Sequence, residues 1–272
     1  MTYTVKEIAA ALGAEAAGDT ALIITRAAEP QVSGPDDLAL ALDPNYAERL
    51  AQGCAQVAML WAGADWQALG LRAAIFPTRP RYAMSGLTRV LDKGQGFATG
   101  IHPTAVIDDT AELGAGVSVG PLAIISAGAR VGAGSVIGPH CFVGAETTIG
   151  KNAYLREQVS IGARVTIGEN FIAQPGARIG GDGFSFVTPE PGAVENVRHT
   201  LGDQGAAKAQ SWTRIHSLGA VTIGDDVEIG MGATIDNGTI RDTRIGDGSK
   251  LDNQVHLGHN VVVGRNCLLC GQ

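Results

Sequence analysis

"VGAGSVIGPHCFVGAETTIG", residues 131–150, places Val131, Ile137, Val143 and Ile149 at a constant spacing of six, each followed by glycine. Extended outward, the same six-residue step runs from Ile101 to Ile179. Thirteen of its fourteen positions are Ile, Leu or Val, Ala173 being the exception. Four residues after each aliphatic comes a small or medium side chain: Ala105, Ala111, Val117, Ala123, Ala129, Ser135, Cys141. A period of six belongs neither to a helix nor to an ordinary alternating strand. It fits a solenoid of very short strands, each directing one aliphatic residue inward. Glycine is then expected to relieve the backbone at each corner, which accounts for 38 glycines beside only 5% aromatic residues.

The register breaks after residue 180 and returns at Ile223, Ile229 and Ile235. A four-residue insertion around Thr239, Ile240, Arg241 and Asp242 then shifts it to Ile245, Leu251, Leu257, Val263 and Leu269. The intervening segment 181–219 is too long for a casual turn, and inserts of that size are usually functional or disordered, the aromatic content here favouring function. It carries Phe184, Phe186, Trp212, His199 and His216.

Residues 1–100 lack the period. "VKEIAAALGA", "PNYAERLAQG" and "RYAMSGLTRVLDKG" read as helices ending near glycine, and "ALIITRAAE", "CAQVAMLWAG" and "LRAAIFPT" as strands. The expectation is a small α/β domain over 1–100 and a solenoid over 101–272, with a loop inserted at about 181–219.

The net charge of −7 argues against a broad basic face for nucleic acid or anionic membrane. The start lacks a secretory pattern and no apolar run spans a bilayer, so a cytoplasmic location without stable membrane insertion is expected. Cys54, Cys141, Cys267 and Cys270 are too few and scattered for a disulfide framework, and "CLLC" at 267–270 has no second pair to complete a zinc site.

The repeat resembles that of the hexapeptide-repeat family, whose chains wind into a left-handed parallel β-helix with three hexapeptides per coil. That resemblance implies a left-handed parallel β-helix preceded by a small α/β domain. "GGDGFSF" at 180–186, then "TIGDDVEIGMGATID", then "KLDNQVHLGHNVVVG" is similar to the UDP-3-O-(3-hydroxyacyl)glucosamine N-acyltransferases of lipid A biosynthesis. The front segment "GDTALIITRAAEPQVSGPDDLALALDPNYAERL" is similar to their uridine-binding domain.

The resemblance implies transfer of a 3-hydroxyacyl group from acyl carrier protein to the 2-amine of a UDP-glucosamine acylated at O3. It also implies a homotrimer with sites between neighbouring solenoids. No cofactor of the enzyme's own is implied, because phosphopantetheine arrives on the carrier protein, and no metal.

On the same resemblance His259 is the catalytic histidine and Asp252 the acidic partner that orients it. Asn253 and Asn260 are candidate contacts for the pantetheine arm, and His256 a bystander or minor contact. An amine attacking a thioester must lose a proton, which suits a base that titrates near neutrality. Register turns Leu257 inward and both histidines outward. His102 and His140 are read as solvent-facing.

Gly181, Asp182, Gly183 and Phe184 form a candidate substrate-binding turn, in which the glycines allow close backbone approach to a ligand. The family's uracil pocket falls on Leu40, Asp43 and Tyr46, of which only Tyr46 keeps the family's residue. Its alternative reading is packing at the start of the "NYAERL" helix. The sequence stops at "CLLCGQ" in mid-coil where the family continues. The oxyanion donor, expected one coil beyond His259 near residue 277, is then missing. The expectation is a truncated chain of weak or absent activity.

Three rival readings remain. A sugar O-acyltransferase of the same fold lacks this front domain and the "GGDGF" turn. A zinc carbonic anhydrase needs a third histidine beside His256 and His259, and none falls at 238–241. The third is a non-catalytic trimer.

Overall fold

A computed structural model describes residues 2–192, 195, 197 and 209–271. Contacts divide the chain into two compact units, Met1–Gly96 and Phe97–Gln272.

The first unit is a five-stranded sheet in the order Glu15–Gly18, Ala73–Phe76, Val57–Leu60, Asp37–Ala41, Arg26–Ala28. Only the first pair is antiparallel. Helix Val5–Leu12 begins in a capping box, with Thr4 and Glu7 satisfying each other's backbone N–H, and ends at Gly13 in the left-handed conformation. Its Val5 and Ile8 join Leu38, Met59, Ile75 and Leu87 of helix Pro80–Leu91 in one core. Arg26 clasps Asp37 through Nε and Nη2 at 2.8 Å each, and this hydrogen-bonded pairing holds the Asp37 carboxyl below its ordinary range. Helix Pro80–Leu91 ends at Asp92 in extended backbone, not at a glycine. Two strands of the five-stranded sheet were not expected. Glu15–Gly18 is Ala/Gly-rich, and Asp37–Ala41 is an alternating run held on both sides by parallel neighbours.

The second unit is a left-handed parallel β-helix built of three parallel seven-stranded sheets. Aliphatic residues eighteen apart stack directly: Val131 on Ile149, Ile137 on Leu155, Val143 on Ile161. The loop after residue 180 leaves the stack intact, because Ile167 pairs with Ile223 and Ile179 with Ile235. The second layer of the core is formed by the small residues of the repeat. Where these are polar they donate to the next coil: Ser135 Oγ to Gly150 O at 3.2 Å, Thr147 Oγ1 to Gly162 O at 2.7 Å.

Glycine turns six corners as expected, Gly116, Gly128, Gly134, Gly176, Gly232 and Gly248, and it also has a second part. At most corners the third residue after the aliphatic is left-handed, and it is more often another residue than glycine. Leu122, His140, Asn152, Gln158, Asn170 and Asn260 are among those with φ between 53° and 66°. The glycine directly after the aliphatic answers to packing. A Cβ on Gly150 would stand 2.5 Å from the carbonyl carbon and oxygen of Gly168 in the next coil. Corner asparagines offset part of the left-handed cost with side-chain ladders, Asn152 Nδ2 to Asn170 Oδ1 and Asn170 Nδ2 to Asp226 Oδ1.

Cys141 belongs to the buried layer, donates to Arg156 O, and has its thiol pushed up to about 11 by burial. Cys54 and Cys270 are exposed. A thiol reagent at pH 8 is therefore expected to modify Cys54 and Cys270 rapidly and Cys141 only after denaturation. Rapid modification of all four cysteines in the folded chain would contradict this packing.

Candidate active site

The four-residue insertion at 239–242 is the platform on which His259 rests. Asp242 secures it by accepting Ala220 N–H and the Thr222 hydroxyl, and these bonds hold its carboxyl below the ordinary range. On this platform Asn260 takes the left-handed corner conformation. Its Oδ1 accepts Thr239 N–H at 3.2 Å, and its Nδ2 donates to Arg241 O at 3.2 Å. These two backbone partners fix which way the amide faces.

That orientation decides the state of His259. Its Nδ1 lies 2.8 Å from Asn260 Oδ1, which can only accept, so Nδ1 carries the hydrogen. Thr239 Oγ1 stands 3.3 Å from the same nitrogen. In the neutral ring the lone pair is therefore on Nε2, the atom that can take a proton. Leu257 is buried, while His256 is exposed and His259 half-buried.

The turn after residue 180 closes over the imidazole. Asn237 pegs it, donating from Nδ2 to Gly180 O and from its backbone to Gly181 O. Gly183 is buried, donates its N–H to Ser217 Oγ and accepts from Arg214 through its carbonyl. A Cβ there would stand 2.8 Å from His259 Cβ and 3.0 Å from its Cδ2, so the close approach at this glycine is to the histidine. At Gly181 the corresponding space is open. Asp182 lies 4.0 Å from Arg214, whose guanidinium covers the Phe186 ring. Phe184 meets Phe186 edge-on and is 85% exposed. His199 lies outside the described residues.

Two neighbours of this corner carry no sequence signal of their own. Thr234 and Asp236 lie one coil below, on the strand that pairs Thr234 with His256. Thr234 Oγ1 is 2.8 Å from His256 Nδ1, and Asp236 Oδ2 is 3.9 Å from His256 Nε2. Burial raises the Asp236 carboxyl, opposed by the charges of His256 and His259 and assisted by that of Asp182. Coil stacking brings these residues to the site, and a local motif does not report it.

Asp252 and Asn253 occupy a different corner, after strand Lys250–Leu251. The exposed Asp252 carboxylate accepts Asn253 N–H at 2.7 Å and Gly271 N–H at 3.2 Å, and these bonds keep its carboxyl low. Asn253 Oδ1 accepts Met231 N–H. Both residues line an open groove of about 700 Å³ with Arg156, Met231, Lys250 and Leu268. No hydrogen bond among the described residues joins Asp252 to His259 within one chain.

In the first unit Tyr46 is exposed beneath the Arg49 guanidinium. Asp43 caps the short turn Pro44–Tyr46 by accepting Asn45 N–H, and Leu40 packs against the core. Among the described residues no group of three or more His, Cys, Asp or Glu side chains could hold a metal ion, and no helix is long and apolar enough to cross a membrane.

The six-residue period and three-sided solenoid define a hexapeptide-repeat protein. No protein-family model matches the chain. A curated relative from Ruegeria pomeroyi named UDP-3-O-acylglucosamine N-acyltransferase is 71% identical over 272 residues, covering 100% of this chain and 75% of the relative. One of the same name from Paracoccus denitrificans is 62% identical over 271 residues, covering 100% and 74%. Another from Pseudomonas aeruginosa is 42% identical over 264, covering 97% and 69%. The chain belongs to the UDP-3-O-acylglucosamine N-acyltransferase family.

Proposed function

We propose that the chain transfers a 3-hydroxyacyl group from acyl carrier protein to the 2-amine of UDP-3-O-(3-hydroxyacyl)glucosamine, with His259 Nε2 as the general base. The observation that carries the reading is the His259 corner, where Asn260 holds the proton on Nδ1 and leaves Nε2 to act. The amine nitrogen attacks the thioester carbonyl and forms the C–N bond. Nε2 takes the proton that the nitrogen loses. Collapse of the tetrahedral intermediate breaks the C–S bond, and the proton passes to the departing pantetheine thiolate.

Asp252 and His259 lie on successive corners of one coil, so a threefold assembly that sets one chain's Asp252–Asn253 corner against the next chain's His259 supports both assignments at once. The groove beside Asp252 then receives the pantetheine arm, with Asn253 at its edge. In the first unit the exposed Tyr46 ring offers a stacking surface for uracil. Acyl carrier protein and the UDP-sugar are the partners in this reading, in the cytoplasm.

Donor preference tests it. With UDP-3-O-acylglucosamine as acceptor, turnover is expected to be faster with 3-hydroxyacyl carrier protein than with the matching acyl-CoA. Equal or better use of acyl-CoA would overturn the carrier-protein assignment.

A further inference from the structure

Two guanidinium groups are tied to the two segments that meet the His259 ring. Arg214 donates from Nη1 to Gly183 O at 3.2 Å, and Gly183 packs on the imidazole at Cδ2, the carbon bonded to Nε2. Arg241 donates from Nη2 to Asn260 O at 3.2 Å, and Asn260 is the residue that holds the proton on Nδ1. Both arginines are exposed. Each guanidinium carries five N–H groups in a planar fork, and a carbonyl engages only part of that fork. Neither is needed to hold its segment. Asn237 pegs the turn at Gly180 and Gly181, and Asp242 secures the platform through Ala220 and Thr222. Two carboxylates also stand at this corner, Asp182 at 4.0 Å from Arg214 and Asp236 at 3.9 Å from His256. The arginines offset their charge, and without them the corner would repel an anion.

The proposed acceptor brings such an anion. In a UDP-glucosamine the 2-amine and the β-phosphorus are four bonds apart, so they lie within about 5 Å of each other. An amine within hydrogen-bond reach of His259 Nε2 therefore places the β-phosphate beside this corner. We propose that Arg214 and Arg241 bind the diphosphate of the sugar nucleotide. The inference rests on the reading of His259 as base toward a UDP-sugar amine, and it assigns the anion-binding groups of that site. A planar guanidinium presents two parallel N–H groups to two phosphate oxygens, and an exposed fork is free to do so. Both interruptions of the solenoid then share one use. The insert at 181–219 supplies Arg214 and the insertion at 239–242 supplies Arg241, each beside the base.

The test is calorimetric binding of two ligands to the intact chain in the absence of donor. One is UDP-3-O-acylglucosamine; the other is 3-O-acylglucosamine, which keeps the amine and the acyl chain and lacks the uridine diphosphate. Arg214→Gln and Arg241→Gln are each expected to weaken UDP-3-O-acylglucosamine by about tenfold, through loss of a charged hydrogen-bonding group. Binding of 3-O-acylglucosamine is expected to be unchanged. Added salt should weaken the nucleotide sugar less steeply in the variants than in the parent, which loss of a contact to the uncharged uracil ring would not produce. Equal weakening of both ligands would mean that the arginines only hold the corner together, and would overturn the proposal. Unchanged affinity for UDP-3-O-acylglucosamine in a folded variant, or an unchanged salt dependence, would overturn it too. Arg241→Gln leaves the turn at Gly183 untouched, so it decides the matter even where Arg214→Gln does not fold. Failure of the acyltransfer reading would show separately, as unchanged amide formation in His259→Ala with these affinities intact.

Discussion

Replacing His259 by alanine is expected to lower the rate of amide formation by about 10²–10⁴-fold relative to the parent chain, while the solenoid stays folded. The two halves of this expectation rest on different residues. Leu257 and Val255 supply the buried contacts of this coil, and His259 only half-buries its ring at the corner. Loss of the imidazole therefore removes little packing. It removes the one nitrogen that the corner prepares to accept a proton, Nε2, whose lone pair follows from the Asn260 contact at Nδ1. Single-turnover rates beside thermal melting separate the two effects. His259→Gln should be as slow as His259→Ala, since shape without basicity does not restore proton transfer. A variant with parental rates would remove His259 from the chemistry.

The second large effect is expected at Gly183, which a glance at the sequence would treat like the glycine two residues before it. A valine at 183 would press its Cβ to within 2.8 Å of His259 Cβ and 3.1 Å of Cγ, and the side chain must yield. Displacing a catalytic group by about 1 Å can cost on the order of 100-fold in rate. Gly183 φ is not in the left-handed region, so the loss comes from contact and not from backbone strain. Gly181→Val is the matched control, because nothing stands within 4 Å of its Cβ position. The expectation is a large fall in kcat for Gly183→Val and a much smaller one for Gly181→Val, whose place in the candidate substrate turn bears on KM instead. Equal effects would show that the turn does not bear on the imidazole.

How much of this was legible in the sequence follows from where each constraint lies. The solenoid shows in the sequence because each strand needs one inward aliphatic residue, and the chain repeats that demand every six positions. What the glycines do was less visible. A glycine that avoids a clash with the next coil and one that turns a corner look alike in one dimension, and only the stacking of Gly150 on Gly168 tells them apart. In the front unit, Glu15–Gly18 escaped notice because alanine and glycine carry weak strand signal, and its partner Ala73–Phe76 lies far along the chain.

At the site, His259 was singled out by the local motif that carries the family resemblance. Thr239, Asp236 and the contact of Gly183 with the imidazole were not, because coil stacking and a long insertion bring them there. The insertion at 239–242 was visible as a break in register. Its use as a brace for Asn260 and His259 required the geometry. Asp252 marks the opposite limit, since the family resemblance paired it with His259 while one chain places the two on separate corners.

The central claim is that this corner forms an amide and not an ester. A single reaction containing 3-hydroxyacyl carrier protein, UDP-3-O-acylglucosamine and an equal amount of UDP-N-acetylglucosamine, analysed by mass spectrometry, tests it most directly. The expected result is acyl transfer to the free amine alone, at whatever rate the chain sustains, and its loss in His259→Ala. Acylation of the hydroxyl acceptor, or amide formation that persists in His259→Ala, would contradict it.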